Sequence, residues 1–288
     1  MDPIIDYGSK PPIKAFDPPQ REHLQNYRRV YANSESRVDK PTDEAQALDV
    51  YLQSYREVGA RHVVIKARDS ETSFGLKVSN EDVSKFCREH GPTFIGFAGV
   101  DPHKGVAAVR ELEYAVRELG LRGLNLQCFE LKLPINDKRM YPLYSKCVEL
   151  DIPVNIHCGI NFSTQSQMDY GRPLFLDEVM LHFPELRVCA SPPGWPWIEE
   201  LIGVAWRHPN VHIGIVAVRP KLLLMEDSGY RPLLAYGIRM LKDRIITGTA
   251  YPMQSVQQAY QEYADLPLPD DVRRKWMFDN AARFLRVA

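Results

Sequence analysis

The stretch 141-YPLYSKCVELDIPVNIHCG-159 holds one complete unit of the pattern that decides the fold. YPLYSKCVELD has the spacing of an amphipathic helix. IPVNIHCG is a short β-rich run that places Asn155 and His157 on one face. The same beat runs outward in both directions. Upstream, TDEAQALDVYLQSYREVGA leads into HVVIKA, EDVSKFCREHG into TFIGFAGVDP, and GVAAVRELEYAVRELG into RGLNLQCF. Downstream, LFLDEVMLHFPE leads into LRVCASPPG, IEELIGVAWRHP into NVHIGIVAV, and YRPLLAYGIRMLKD into RIITGTAYP. A last helix, PDDVRRKWMFDNAARFLRV, closes the chain. With PIID at residues 3–6 counted first, eight short strands alternate with helices. Gly59, Gly91, Gly120 and Gly123 fall where helix ends and turns belong.

Alternating β and α elements imply a parallel sheet, and eight units in 288 residues imply a single (β/α)8 TIM barrel over residues 1–288. A doubly wound open sheet would use the same units, and the count of eight argues against it. Residues 11–42 form a polar, proline-punctuated segment after the first strand. That is too long for a plain connection, so a lid, a dimer arm or a mobile loop is expected there. An apolar fraction of 44% and a charged fraction of 25% are ordinary for a globular protein with a sizeable core. A net charge of −1 favours neither nucleic acid nor an anionic membrane as partner. No apolar run approaches the ~20 residues of a membrane span. MDPIIDYGSK lacks the basic start and apolar core of a signal peptide. Cys87, Cys128, Cys147, Cys158 and Cys189 are odd in number and lack CxxC spacing. Neither a disulfide framework nor a structural zinc site is expected, and a cytoplasmic protein with reduced thiols is.

In such barrels the site lies at the C-terminal ends of the strands. Period-2 alternation then selects the inward residues. The first strand offers Asp6, Gly8 and Lys10, the second Lys66 and Arg68, the fourth Asn125 and Gln127, and the fifth Asn155 and His157. The sixth ends in Ser191, Trp195 and Trp197. The seventh offers His212 and Arg219, and the eighth Thr249, Ala250 and Tyr251. Each has a plainer role open to it. His157 could be a satisfied core histidine, and Asp6 could bond backbone amides at the barrel mouth. Lys66 could snorkel to solvent, while Tyr251 and Arg219 could be loop surface. Cys158 and Cys189 read as packed apolar residues, His212 as core, and the WPW run as a hydrophobic wall.

RGLNLQ, YPLYSKCVELDIPVNIHCG, FPELRV with GWPWIEELIGVAWRHPNVHI, RIITGTAYP and DNAARFL together resemble the amidohydrolase-related (amidohydrolase 2) family of TIM-barrel proteins along nearly the whole chain. That family includes decarboxylases of aminocarboxymuconate semialdehyde and γ-resorcylate. The resemblance implies a divalent metal site, commonly zinc. Its ligands would come from an Asp-x-His-x-His strand, histidines after the fifth and sixth strands, and an aspartate after the eighth. It also implies a homodimer. Asp6 and His157 match this pattern, but the other positions read Gly8, Lys10, Pro192 and Ala250. Gly214 stands where an aspartate commonly follows the seventh strand. Two ligands cannot hold a catalytic zinc, which takes three protein donors. No metal and no cofactor is therefore expected, and Lys10, paired with Asp6, is expected to replace part of the metal's charge.

The implied function is a metal-independent enzyme of hydrolase or carbon–carbon lyase (decarboxylase) type, acting on a small carbonyl or carboxylate compound. Asp6 and His157 would be acid/base groups, with Lys10 an electrostatic anchor or nucleophilic amine. Lys66, Arg68 and Arg219 would hold the acid group, and Asn125, Asn155, Trp195 and Tyr251 would complete the substrate-binding set. The alternative is a catalytically inactive family member that binds a ligand or partner, since Gly8, Pro192, Gly214 and Ala250 are inert replacements. A rewritten metal site from Asp6, His157 and a cysteine ranks last, because no cluster has suitable spacing.

Overall fold

The computed structural model describes residues 3–19, 21–31, 38 and 41–288. Its strands are β1 (Ile4–Ser9), β2 (Ala60–Lys66), β3 (Arg68–Ser70), β4 (Leu76–Val78) and β5 (Phe94–Gly99), then β6 (Leu124–Leu126), β7 (Val154–Ile156), β8 (Val188–Ala190), β9 (Val211–Ile215) and β10 (Ile245–Thr247). Eight of them form one parallel sheet in the order β1-β2-β5-β6-β7-β8-β9-β10. The ends meet where Ala250 N–H donates to the Gly8 carbonyl (2.7 Å) and Lys10 N–H to the Tyr251 carbonyl (3.0 Å). The molecule is a single (β/α)8 TIM barrel, as the alternation implied. β3 and β4 pair antiparallel in a hairpin beside it. Three residues each are too few to show a period, so the sequence beat does not resolve them.

Strands as short as Val154–Ile156 persist because both of their faces are buried. Each aliphatic side chain so covered contributes about 1.5–3 kcal/mol. The helices are delimited by local chemistry. Asp43 accepts from Gln46 N–H to start the helix Glu44–Glu57, and Ser79 accepts from Asp82 N–H to start Asn80–His90. Gly91, at φ 84°, ends the latter with a backbone angle that a side chain would resist. Inside the barrel, Ile5, Tyr7, Val64, Ile95, Phe97, Cys189 and Ile246 pack together, stoppered by Phe284 and Leu285 of the last helix. Asn280, at the start of that helix, donates to the Lys242 and Ile245 carbonyls (2.9 and 2.8 Å) and fixes the stopper to β10. The C-terminal DNAARFL run thus closes one end of the barrel, and the other end stays open for a site.

Ile5 and Tyr7 therefore point inward and Asp6 does not. The register with β2 shifts between Asp6 and Ser9. Such an irregularity breaks strict alternation beyond Asp6; Gly8 and Lys10 line the cavity, and Asp6 does not share that face with them. Among the described residues no helix is long and apolar enough to cross a membrane.

Candidate functional site

A cavity of about 750 Å³ opens at the C-terminal ends of the barrel strands. That volume suits a small organic molecule. Its floor is a chain of amides carried by β2, β6 and β7. Lys66 Nζ donates to Asn155 Oδ1 (3.1 Å), and Asn155 Nδ2 donates to Asn125 Oδ1 (2.8 Å). Gln127 Nε2 donates to that same Asn125 oxygen (3.2 Å), and Asn125 Nδ2 donates to the Ala67 carbonyl (2.9 Å). These bonds set each amide's orientation, leaving the Lys66 ammonium as the cationic end of the chain. Its Nζ stands 4.5 Å from the centroid of the Tyr7 ring, within cation–π range. A Cβ added at Gly8 would lie 3.3 Å from Lys66 Nζ and 3.0 Å from Val216 Cγ1. A side chain at position 8 and this ammonium would compete for one volume. Burial pushes the Lys66 amine down to about 8, with Cys189 and Asp6 drawing it part of the way back.

His157 also lines the cavity, with its ring edge-on to Phe129 at 4.7 Å. Burial pushes it down to about 4, so the imidazole is neutral at pH 7. Its Nδ1 is buried without a hydrogen-bond partner among the described residues. Arg68 stands on the rim, where its Nε–H donates to Glu130 Oε2 (3.0 Å) and its Nη2–H to Glu130 Oε1. Nη1 carries no hydrogen bond among the described residues. Glu130 is fully buried and also accepts from His23 Nε2 (3.1 Å). Burial alone would raise its carboxyl, but the Arg68 charge and the bonds from His23 and Arg68 outweigh this and hold it below the usual range.

His23 belongs to the segment after β1, and its ring lies flat on Phe74 at 4.0 Å. Nearby, Asn26 Nδ2 donates to the Phe162 carbonyl (2.9 Å), and Leu24 and Tyr27 line the cavity. The described part of the 11–42 segment is thus a cover over the mouth. Residues 20, 32–37, 39 and 40 of that loop lie outside the described residues. Neither Glu130 nor His23 stood out in the sequence, since a buried acid in a helical turn shows its role only with its distant partners.

Two expected site residues, Asp6 and Arg219, are placed elsewhere, and Lys10 has a different partner from the one expected. Asp6 does not line the cavity. It is fully buried, and its Oδ1 accepts from Gly8 N–H and Thr249 N–H (both 3.0 Å). Its Oδ2 lies 2.6 Å from Thr249 Oγ1 and 2.8 Å from the Tyr55 hydroxyl. Tyr55 and Tyr51 share one face of the helix Glu44–Glu57, which delivers both hydroxyls to the β1 end, and Tyr51 bonds Ser9 Oγ at 2.9 Å. Burial raises the Asp6 carboxyl and these four bonds lower it, with burial the larger effect. Lys10 lines the cavity but lies 3.0 Å from Asp17 Oδ1, so its ion pair is with Asp17 and not with Asp6. Arg219 is drawn back to Glu262 on the helix Val256–Asp265 and does not line the cavity. Trp195 and Tyr251 do line it.

The residues at the implied metal positions do not fit a divalent ion. Gly8, Lys10, Pro192 and Ala250 line the cavity without a ligating atom suited to such an ion, and the Asp6 oxygens are occupied by donors. A Cβ at Gly214 would meet Ser191 Cβ at 2.7 Å, which leaves no room there for an aspartate. Among the described residues no three His, Cys, Asp or Glu side chains group as a metal site. A family model described as amidohydrolase matches residues 35–287. The chain belongs to the amidohydrolase family. A TIM-barrel protein of Bordetella bronchiseptica described as uncharacterized is similar over 99% of this chain and 98% of its own, at 27% identity and a TM-score of 0.83. A 2,6-dihydroxybenzoate decarboxylase from Rhizobium shares the fold at 16% identity over 99% of each chain, with a TM-score of 0.68. A 5-carboxyvanillate decarboxylase from Novosphingobium aromaticivorans, complexed with manganese and a nitrobenzoic acid, shares it at 14% identity. That likeness covers 100% of this amidohydrolase-family chain and 96% of the other, with a TM-score of 0.65.

Proposed function

We propose that this amidohydrolase-family protein is a metal-independent enzyme of lyase (decarboxylase) or hydrolase type, acting on a carbonyl group in a small carboxylate compound. The observation that carries the reading is the Lys66 ammonium, which holds the volume above Gly8 where a side chain on the first strand would otherwise stand. A fixed cation there stabilises negative charge developing on a substrate oxygen. His157, kept neutral by burial, lines the same cavity and adds no charge to it. Arg68 offers its unbonded edge to the acid group, and Phe129, Phe162, Tyr27 and Trp195 supply apolar walls for the remainder. The decarboxylases that share the fold act on small aromatic carboxylates by their names, in keeping with a cavity of this size and charge. Asp6 serves the barrel seam in this reading, and Lys10 shapes the rim.

Calorimetric titration with a panel of small aromatic and oxo carboxylates, in buffer containing a chelator, tests the proposal. Wild-type protein is expected to bind at least one of them. Lys66→Met and Arg68→Gln are each expected to weaken it about tenfold or more, the loss of one charge-assisted contact. Binding or turnover that appears only after a divalent metal is added would contradict the reading.

A further inference from the structure

Lys66 differs from the other charged groups around the cavity in what surrounds it. Arg68 has Glu130 and Lys10 has Asp17. Lys66 forms no ion pair among the described residues, and its one hydrogen bond there goes to a neutral amide, Asn155 Oδ1. Around it stand the Tyr7 ring face, Val216 across the gap over Gly8, and the Cys189 thiol, with the Asp6 carboxyl acting on it without an ion pair. An amine held by one amide against apolar surface, with a substrate-sized cavity above it, is arranged for more than charge. An ion-pairing lysine would need a carboxylate; a nucleophilic one needs a lone pair and an open approach.

We infer that Lys66 is the covalent nucleophile of the site, forming an imine with the ketone of a small 3-oxo carboxylic acid. The inference rests on the metal-independent reading above and adds to it the substrate class and the bond formed. The ammonium first gives a proton to solvent in the open cavity. The nitrogen pair then attacks the ketone carbon, the carbonyl π pair moves to oxygen, and the oxygen leaves as water after taking up two protons. Overall, ammonium and ketone give iminium and water. In a 3-oxo acid the bond to the carboxylate carbon then breaks, its electron pair moves through the chain to the iminium nitrogen, and carbon dioxide departs. The resulting enamine takes one proton on carbon. Water hydrolyses the new iminium, releasing the ketone product and restoring the ammonium. No oxidant or reductant enters. Arg68 holds the acid group, and because Glu130 already neutralises that guanidinium, it positions the carboxylate without strongly favouring its retention. An amine with its midpoint near 8 is roughly one-tenth unprotonated at pH 7, against well under 0.1% for an ordinary lysine near 10.4.

The experiment is reductive trapping at pH 7 with acetoacetate and sodium cyanoborohydride, read by peptide mass spectrometry, with pyruvate as a 2-oxo acid comparison. The expected result is one major adduct on the peptide carrying Lys66. With acetoacetate its mass should correspond to loss of carbon dioxide before reduction. Lys66→Arg should abolish the adduct while keeping a cation and the melting temperature, and Lys85→Arg on the exposed helix surface should leave trapping unchanged. An adduct spread evenly over surface lysines would overturn the inference, as would an adduct that persists in Lys66→Arg. So would turnover of a carboxylate by Lys66→Arg at the wild-type rate with no adduct in either protein, and in that case the metal-independent reading would stand. If activity depended on added metal, both would fall.

Discussion

Asp6 and Lys66 lie on adjacent strands at the same end of the barrel, and both are ionisable groups drawn out of water. They differ in what their neighbours leave undone. The Asp6 oxygens receive four donors, two from backbone and two from hydroxyls, and face the seam between β1 and β10. Among the described residues the Lys66 ammonium has one hydrogen bond, and it faces the cavity. Asp6 stands at a position that the family resemblance implied for a metal ligand, and its oxygens are taken up by donors of the barrel wall. Lys66 stands where ligand chemistry would be and keeps bonding capacity to spare. The comparison teaches that a charged residue at a barrel mouth is read by its remaining valence, and its charge or position in a motif is a weaker guide.

The largest effect should come from Lys66→Met. Loss of a positioned cation at a developing oxyanion lowers turnover by on the order of 10²–10³-fold, measurable on whichever carboxylate the titrations identify. The same change should raise the melting temperature at pH 7, because a desolvated charge is removed. The sign with pH follows from its lowered midpoint of about 8. Between about 8 and the ordinary lysine value of 10.4 the unfolded chain holds the proton and the folded chain has released it, so stability contributed by this group rises with pH across that window. Thermal unfolding from pH 7 to 10 should show this slope in wild-type protein and a shallower one in Lys66→Met.

Asp6→Ala tests the other half of the comparison. It strands Gly8 N–H, Thr249 N–H and two hydroxyls in a buried seam, and should cost roughly 3–5 kcal/mol in denaturant unfolding. Carboxylate affinity per folded molecule should change little. A protein of normal stability that had lost its activity would instead make Asp6 an acid/base group.

The barrel was legible because helix and strand periods alternate eight times, a pattern that needs no tertiary information. The position of Lys66 was legible too, since Val64 and Lys66 keep the inward phase of β2. Asp6 was misread because alternation does not say which phase of β1 faces inward, and Ile5 and Tyr7 take that face. Which lysine was neutralised could not be read either, because the Lys10–Asp17 pair forms only in the folded loop after β1. Glu130 joins His23, 107 positions away, and Arg68, 62 positions away, and spacing cannot reveal such partners.

His23→Ala removes the bond to Glu130 and the stacking on Phe74 while leaving Arg68 paired. It should cost about 1–2 kcal/mol, weaken carboxylate binding severalfold as the cover loosens, and speed proteolysis near residues 21–31. Unchanged proteolysis and affinity would show that the cover is held by Asn26 and Tyr27 instead. The smallest effect is expected at Arg219. Arg219→Gln should leave carboxylate affinity within about twofold and change stability by up to ~1 kcal/mol. A tenfold loss of affinity would return Arg219 to the site.

The central proposal is that the cation of the cavity is the Lys66 ammonium and not a metal. Elemental analysis of protein purified without chelator, paired with titration of manganese and zinc into the same sample, tests it most directly. The account predicts substoichiometric metal and no saturable heat of binding, with Lys66→Met alone unable to create a site because Gly8, Pro192 and Ala250 still supply no ligand. One equivalent of a divalent ion that resists dialysis, and whose removal abolishes activity, would contradict it.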